Sequence, residues 1–134
     1  MGYLLDTNTL VFFFRGHPQV VQRWQSVAPG ALHLSSIVLY ELLVGVETSA
    51  RPERRRQDVE HLRPHLRELD YTAVEAAEAA RITGYLRPRG EMIGLLDVQI
   101  AATAAVHHLT IVTNNLREFS RVPGLRCEDW TATP

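Results

Sequence analysis

The chain has 134 residues and a formal net charge of −1 at pH 7, and its 14 basic residues are all arginine. The absence of lysine excludes every mechanism that needs a catalytic lysine, and a near-neutral charge gives no general argument for binding nucleic acid. The length suits one compact core, so we treat residues 1–134 as a single domain. No apolar run approaches the ~20 residues of a membrane span, and no cleavable leader is evident, so we expect a cytoplasmic protein without membrane contact.

Short apolar runs alternate with longer helical patterns along the chain. The predicted strands are residues 3–5, 32–34, 66–69, 110–112 and 125–127. The predicted helices are residues 9–14 and 18–27, a helix capped by Ser35 or Ser36 that continues to Val46, an arginine-rich helix from Pro52 towards Pro64, one opened by a Thr72–Glu75 capping box, and residues 97–108. This alternation favours an α/β fold with a mostly parallel sheet that is covered by helices on both faces.

Polar residues that follow strands are the first candidates for a functional site, because ligands of open parallel sheets bind beyond the carboxyl ends of the strands. Asp6 follows the first strand directly, and Asp97 begins the helix that precedes the fourth strand. Each aspartate alone is more typical of a helix N-cap. Glu41 lies inside the apolar stretch 37–44, where a carboxylate needs either a partner or an exposed helix face.

Considered together, these carboxylates predict a metal site. In a parallel sheet the first and fourth strands can be neighbours, which would bring Asp6 close to Asp97 and to Asn115, just after the fourth strand. Three carboxylates within ~5 Å repel by roughly 3 kcal/mol per pair at an effective dielectric near 20, so such a cluster persists at neutral pH by binding cations or sharing protons. Ligands that are all oxygen atoms select Mg²⁺ or Mn²⁺ over zinc.

Four segments of the sequence resemble the PIN-domain ribonucleases and, among them, the VapC-like toxins of type II toxin–antitoxin systems. These segments are Leu5-Asp6-Thr7-Asn8, Tyr40-Glu41-Leu42-Leu43-Val44-Gly45, Asp97-Val98-Gln99-Ile100-Ala101-Ala102, and Thr113-Asn114-Asn115-Leu116-Arg117-Glu118-Phe119 followed by Val122-Pro123-Gly124-Leu125. The resemblance covers essentially the whole chain. It implies a three-layer PIN-like fold with a five-stranded sheet of order 3-2-1-4-5 and acids clustered over the sheet.

Two features depart from that family pattern. Asn115 stands where many relatives have an aspartate, which lowers the negative charge of the site and puts tight binding of a second metal in doubt. The residues before Asp97 differ from the glycine-proline turn common in close relatives, so the conformation of residues 92–96 is not predicted.

The resemblance implies a metal-dependent endoribonuclease that acts as a toxin. Asp6 and Asp97 would hold Mg²⁺ or Mn²⁺, Glu41 would bind the metal or orient its water, and Asn115 would complete the ligand set directly or through water. Hydrogen bonds from neighbouring polar residues would orient the carboxylates, and the candidates for this supporting role are Thr7, Asn8 and Thr113.

The expected partners are RNA, a cognate antitoxin and a second copy of the chain in a homodimer. A single-stranded loop of a structured RNA is the expected substrate, and the resemblance points to the anticodon loop of a transfer RNA. Arginines near the crevice would contact the phosphates, and the candidates are Arg15, Arg87 and Arg89.

Two other functions compete with the nuclease. In an aspartate phosphotransferase Asp6 would be the nucleophile, but the receiver domains and haloacid-dehalogenase-like phosphatases that use such an aspartate also need a lysine. The acid two residues after the phosphatase nucleophile would here be Asn8. The second alternative is an acid-rimmed binding module that has lost catalysis, and metal-dependent RNA cleavage separates it from the nuclease.

Overall fold

A five-stranded sheet lies at the centre of the computed structural model, which describes residues 2–132. Its strands are β1 (Tyr3–Leu5), β2 (Leu32–Ser35), β3 (Arg67–Leu69), β4 (Thr110–Val112) and β5 (Cys127–Glu128). Their spatial order is 3-2-1-4-5, as predicted, and all four pairings are parallel. The flanking helices are α1 (Thr7–Phe14), α2 (Pro18–Ser26), α3 (Ser36–Glu47), α4 (Pro52–Leu62), α5 (Ala73–Leu86), α6 (Leu95–Val106) and α7 (Leu116–Phe119).

The two middle strands that carry the candidate site are buried on both faces of the sheet. Leu4 and Leu5 of β1 and Ile111 and Val112 of β4 have no exposed surface. Successive residues of a strand point to opposite faces, so their joint burial means that helices cover both sides of the sheet. This explains why these strands appear in the sequence as continuous apolar runs rather than as alternating patterns.

Several predicted boundaries were wrong by a few residues. The third strand begins at Arg67 because Leu66 closes the short 3₁₀ turn Arg63–His65. The last strand is Cys127–Glu128 rather than residues 125–127, since the Leu125 N–H donates within a turn to the Val122 carbonyl. Helix α7 was not predicted, because four residues are too few to show a helical period.

Side-chain caps set the starts of several helices, among them α5, α3 and α1. The predicted capping box is confirmed: the Glu75 carboxylate accepts a hydrogen bond of 2.8 Å from the Thr72 N–H at the start of α5. Ser35, rather than Ser36, caps α3 by accepting from the Val38 N–H at 3.0 Å. Asp6 caps α1, whereas the cap of α6 is Gly94, so the N-cap interpretation of Asp97 was wrong.

Within residues 2–132, no helix combines the length and the apolar character needed to cross a membrane. The expectations of a cytoplasmic location and of a single domain over residues 1–134 stay predictions.

Candidate functional site

The pairing of β1 with β4 creates the candidate site. Leu5 lies opposite Val112, and the next residue, Asp6, donates its N–H to the Val112 carbonyl at 2.9 Å. Because the two strands are parallel, Asp6 and Thr113 leave the sheet side by side at its carboxyl edge. The predicted neighbourhood of the first and fourth strands is therefore confirmed.

Asp6 is buried and held by two hydrogen bonds. One carboxylate oxygen accepts from the Thr7 N–H at 2.8 Å, and the other accepts from the Thr113 hydroxyl at 2.8 Å. The Thr113 hydroxyl in turn accepts from the Asn115 N–H at 2.9 Å. Burial raises the pKa of Asp6, the bonds from Thr113 and Thr7 oppose that rise, and the charge of Glu41 adds to it. The bonds fix the direction in which the carboxylate points.

Glu41 reaches the same edge from α3. It is half-buried, and its carboxylate accepts a 2.7 Å hydrogen bond from the Thr7 hydroxyl. Thr7 therefore joins two acids, since its N–H bonds Asp6 and its hydroxyl bonds Glu41. This bridge holds the first turn of α1 against α3.

Asp97 lies in the first turn of α6, where it faces several other carboxylates. Burial, together with the charges of Asp6, Glu118 and Glu41, raises its pKa to about 6. Its carboxylate folds back over the helix start, where a Cβ on Gly94 would lie only 2.9 Å from one of its oxygens. Glycine at this position therefore leaves the space that the Asp97 side chain occupies.

Glu118 is a site residue that sequence reasoning missed. It lies on α7, and its carboxylate is close enough to Asp97 to help raise the pKa of Asp97. The available signal was its place in the segment 113–119, one helical turn after Asn115. Asn115 itself is half-buried and begins α7, and its backbone N–H is the group that contacts the network.

The segment before Asp97 has no regular secondary structure until α6 begins at Leu95. Arg121, which follows α7, donates from its guanidinium to the carbonyls of Glu91 and Met92 at 3.4 and 3.3 Å. These contacts tie the Asp97 segment to the α7 segment that carries Glu118.

The remaining candidates are three arginines and Asn8. Arg15 is exposed at the end of α1 and lines a pocket together with Thr7 and Glu41. Arg89 packs over the Tyr85 ring at 3.6 Å and donates to the Tyr85 carbonyl, and Arg87 is exposed in the same turn. Asn8 is exposed, and among residues 2–132 its side chain makes no hydrogen bond to a carboxylate.

The donor chemistry of the site fits a hard divalent cation. In the part of the chain that the structure describes, no three His, Cys, Asp or Glu side chains already converge as a complete ligand set. Mg²⁺ does not need such a set, since it keeps several waters and binds proteins through one or two carboxylates. Burial and the neighbouring carboxylates raise the pKa of Asp97, and a bound cation would offset both effects. Asp6 and Asp97 are therefore the residues that would hold Mg²⁺ or Mn²⁺.

A parallel sheet of order 3-2-1-4-5, with acids at the carboxyl end of β1 and beside β4, is the arrangement expected of PIN-like nucleases. A family model described as PIN domain matches residues 3–125, and the chain belongs to this family. Its relatives include the tRNA(fMet)-specific endonuclease VapC of Salmonella typhimurium, 39% identical over 97% of this chain and 98% of the relative. Ribonuclease VapC2 of Haemophilus influenzae is 40% identical over 97% and 98%.

Solved structures agree with this assignment. The DNA-bound VapBC of Salmonella typhimurium contains a chain with a TM-score of 0.90 and 39% identity, over 97% of this chain and 98% of that one. VapBC2 of Rickettsia felis, bound to a DNA fragment from its promoter, gives a TM-score of 0.90 and 32% identity, over 97% and 99%. The resemblance to the VapC-like PIN proteins is confirmed.

Asp97→Asn should stabilise the metal-free protein at neutral pH. A carboxyl whose pKa is higher in the folded state stabilises the fold at low pH, and that contribution is lost as the pH rises through about 6. At pH 7 the neutral amide should raise the free energy of unfolding by roughly 1–2 kcal/mol after allowance for solvent screening. At pH 4 the difference should vanish.

Denaturant unfolding in EDTA at both pH values measures this effect. Asp70→Asn is the matched control, because Asp70 follows β3 at the same edge of the sheet but is exposed. An equal change for Asp97→Asn at pH 4 and pH 7, or a destabilisation at pH 7, would show that the ionised Asp97 carboxylate does not destabilise the fold.

Proposed function

We propose that the chain is a metal-dependent endoribonuclease that hydrolyses RNA phosphodiesters and acts as the toxin of a toxin–antitoxin pair. The observation that carries this proposal is the oriented Asp6 beside Asp97, whose pKa is raised to about 6 by burial and by neighbouring acids. A bound cation would neutralise the charge of these clustered acids. The cluster also lies at the carboxyl edge of the sheet, where α/β proteins bind ligands. The names of the similar VapC proteins, endonuclease and ribonuclease, agree with it.

Bound Mg²⁺ or Mn²⁺ would activate a water and neutralise the charge that develops on the phosphate. Asp6 and Asp97 would hold the ion, and the bonds from Thr7 and Thr113 would keep Asp6 pointed at it. Glu41 would accept a hydrogen bond from the attacking water and so orient it for in-line attack. Hydrolysis in this way leaves a 5′-phosphate and a 3′-hydroxyl.

Two further side chains would complete the arrangement. The Asn115 amide oxygen would approach the ion directly or through water. Glu118 would add a further carboxylate beside Asp97, and a bound cation would relieve the repulsion between them. Asn8 would support the carboxylates only through water, because its side chain is exposed and bonds none of them in residues 2–132.

Asp6→Asn and Asp97→Asn should each lower RNA cleavage by about 100-fold or more, since each removes several kcal/mol of charge stabilisation without a change of volume. Cleavage of purified RNA with Mg²⁺ or Mn²⁺, followed by analysis of the product ends, provides the measurement. The Asp70→Asn variant should retain full activity. EDTA should abolish the activity of the unmodified chain. Activity that survives EDTA, or that both site variants retain, would contradict metal-dependent cleavage at this site. Absence of any RNA cleavage would leave the acid-rimmed binding module as the better description.

We propose a single-stranded loop of a structured RNA as the substrate, with the anticodon loop of a transfer RNA as the specific case. A loop exposes phosphates and bases that a duplex protects, and Arg15, Arg87 and Arg89 could hold the adjoining stem. The transfer RNA is suggested by the name of the Salmonella typhimurium relative. Sequencing the 5′ ends made in total RNA should find a few cuts, concentrated in loops. Cuts spread evenly along messenger RNA would contradict this choice.

A cognate antitoxin is the proposed regulator, since the similar solved structures are of VapBC assemblies. An arginine or lysine of the antitoxin would pair with Asp6 and Asp97 and displace the metal. Co-expression with the protein encoded next to this chain should therefore yield a complex without nuclease activity, and changing that basic residue to alanine should restore cleavage. A complex that retains full activity would refute this mode of control.

The chain is also proposed to form a homodimer. One side of α3 presents three large apolar side chains to solvent, Tyr40, Leu43 and Val44, which are 56%, 38% and 41% exposed. Contiguous exposed apolar side chains are typical of interaction surfaces. A second copy covering this side would leave Glu41, on another side of the same helix, free to face the crevice.

A further inference from the structure

A pocket of about 290 Å³ lies between α1, α3 and α4 and opens beside the acidic site. We call it the α1/α3/α4 pocket. Thr7 and Glu41 form the end of the pocket nearest Asp6. The Thr7 hydroxyl donates a 2.7 Å hydrogen bond to the Glu41 carboxylate. Most of its wall is apolar and consists of Val11, Phe14, Leu42, Val46 and Val59. A ligand in this pocket would therefore touch the same threonine and glutamate that border the proposed cleavage site.

The polar groups of the pocket suit a nucleotide. Arg15 and Arg55 bring two guanidinium groups, which can bind phosphates and stack on bases. Arg55 donates to Asp58 at 3.4 Å, and the two side chains are 52% and 32% exposed. An ion pair with this distance and exposure is weak. Arg55 can therefore donate, and Asp58 can accept, hydrogen bonds at the edge of a base.

The size of the pocket also favours one base over a peptide segment. Pockets for drug-sized ligands have ~300–1,000 Å³, so this one lies just below that range. A single planar ring between apolar walls, with its edge at polar groups, is the ligand that this shape admits. Phe14 supplies an aromatic side chain of the kind on which unpaired bases stack.

Gly45, in the last turn of α3, keeps the pocket open. It lies one helical turn after Glu41 on the same face of the helix, and it lines the pocket. A glycine inside a helix is about 1 kcal/mol less favourable than alanine. A Cβ at Gly45 would meet no atom within 4 Å, so packing inside the chain does not require glycine here. A larger side chain would instead fill the space that a ligand needs.

We propose that the α1/α3/α4 pocket receives one unstacked base of the RNA, next to the phosphate that is cut, and that it contributes to substrate choice. This inference rests on the proposed ribonuclease function and adds to it a site for the base. Arg15 holds a flanking phosphate, Arg55 and Asp58 bond the edge of the base, and the apolar walls enclose the ring.

The test fills the pocket with Gly45→Leu. The matched control is Gly84→Leu on α5, because a Cβ at Gly84 also meets no atom within 4 Å and Gly84 does not line the pocket. Both changes remove a helical glycine, so both variants should keep or raise the melting temperature. Both are made in the Asp97→Asn background to prevent cleavage. The probes are fluorescent oligo(A), oligo(C), oligo(G) and oligo(U), with an abasic oligoribonucleotide of the same length.

The parent should bind at least one base-bearing oligonucleotide more tightly than the abasic one. Gly45→Leu should weaken that binding by roughly 5- to 150-fold, the range that base stacking carries, and should leave abasic binding unchanged. Gly84→Leu should change neither. Equal binding of abasic and base-bearing RNA by the parent, or no loss in Gly45→Leu, would overturn the proposal. So would a Gly45→Leu variant that loses only its affinity for the antitoxin, because the pocket would then belong to a protein partner.

Cleavage of total RNA by the unmodified chain, with and without EDTA, tests the proposed function separately. If the chain does not cleave RNA, while base-dependent binding is lost only in Gly45→Leu, the base pocket is supported and the nuclease function is contradicted. If Gly45→Leu cleaves RNA at full rate and at the same sites, the nuclease function is supported and the base pocket is contradicted.

Discussion

The candidate site depends on the parallel pairing of β1 with β4. Leu5 opposes Val112, so the residues that follow them, Asp6 and Thr113, leave the sheet together and bond at 2.8 Å. A slip of one residue would move each buried side chain to the other face and separate this pair. Burial of Leu5 and Val112 on a sheet covered on both faces holds the register. The position of Asp6 thus follows from packing several ångströms away from its carboxylate.

The two principal acids are balanced in different ways. Asp6 is buried, but two hydrogen-bond donors compensate its charge. Asp97 faces Asp6, Glu41 and Glu118, whose charges add to the effect of burial and raise its pKa. A cation would therefore act mainly on the charge of Asp97, while Asp6 is already oriented. This difference also explains why the structure can tolerate so many acids before a metal binds.

Helix α3 separates two surfaces with different chemistry. On one side Glu41 and Gly45, a turn apart, face the acidic site and the α1/α3/α4 pocket. On another side Tyr40 and Val44, also a turn apart, lie exposed to solvent. Apolar residues occur on nearly all sides of this helix, so its sequence looks like that of a buried helix. The exposed apolar side and the pocket account for that composition, since each presents apolar surface that the core of this chain does not cover.

The sequence by itself determined the α/β class, the Thr72–Glu75 capping box, and the membership of Asp6, Glu41 and Asp97 in an acidic motif. These properties are local, or follow from a pattern that the family shares. Only the tertiary structure decided which groups satisfy each acid and which do not. Glu118 meets Asp97 because α7 and the start of α6 are brought together across some twenty residues of sequence, partly by Arg121. No spacing rule predicts such a contact, because it arises from the packing of separate elements on the sheet.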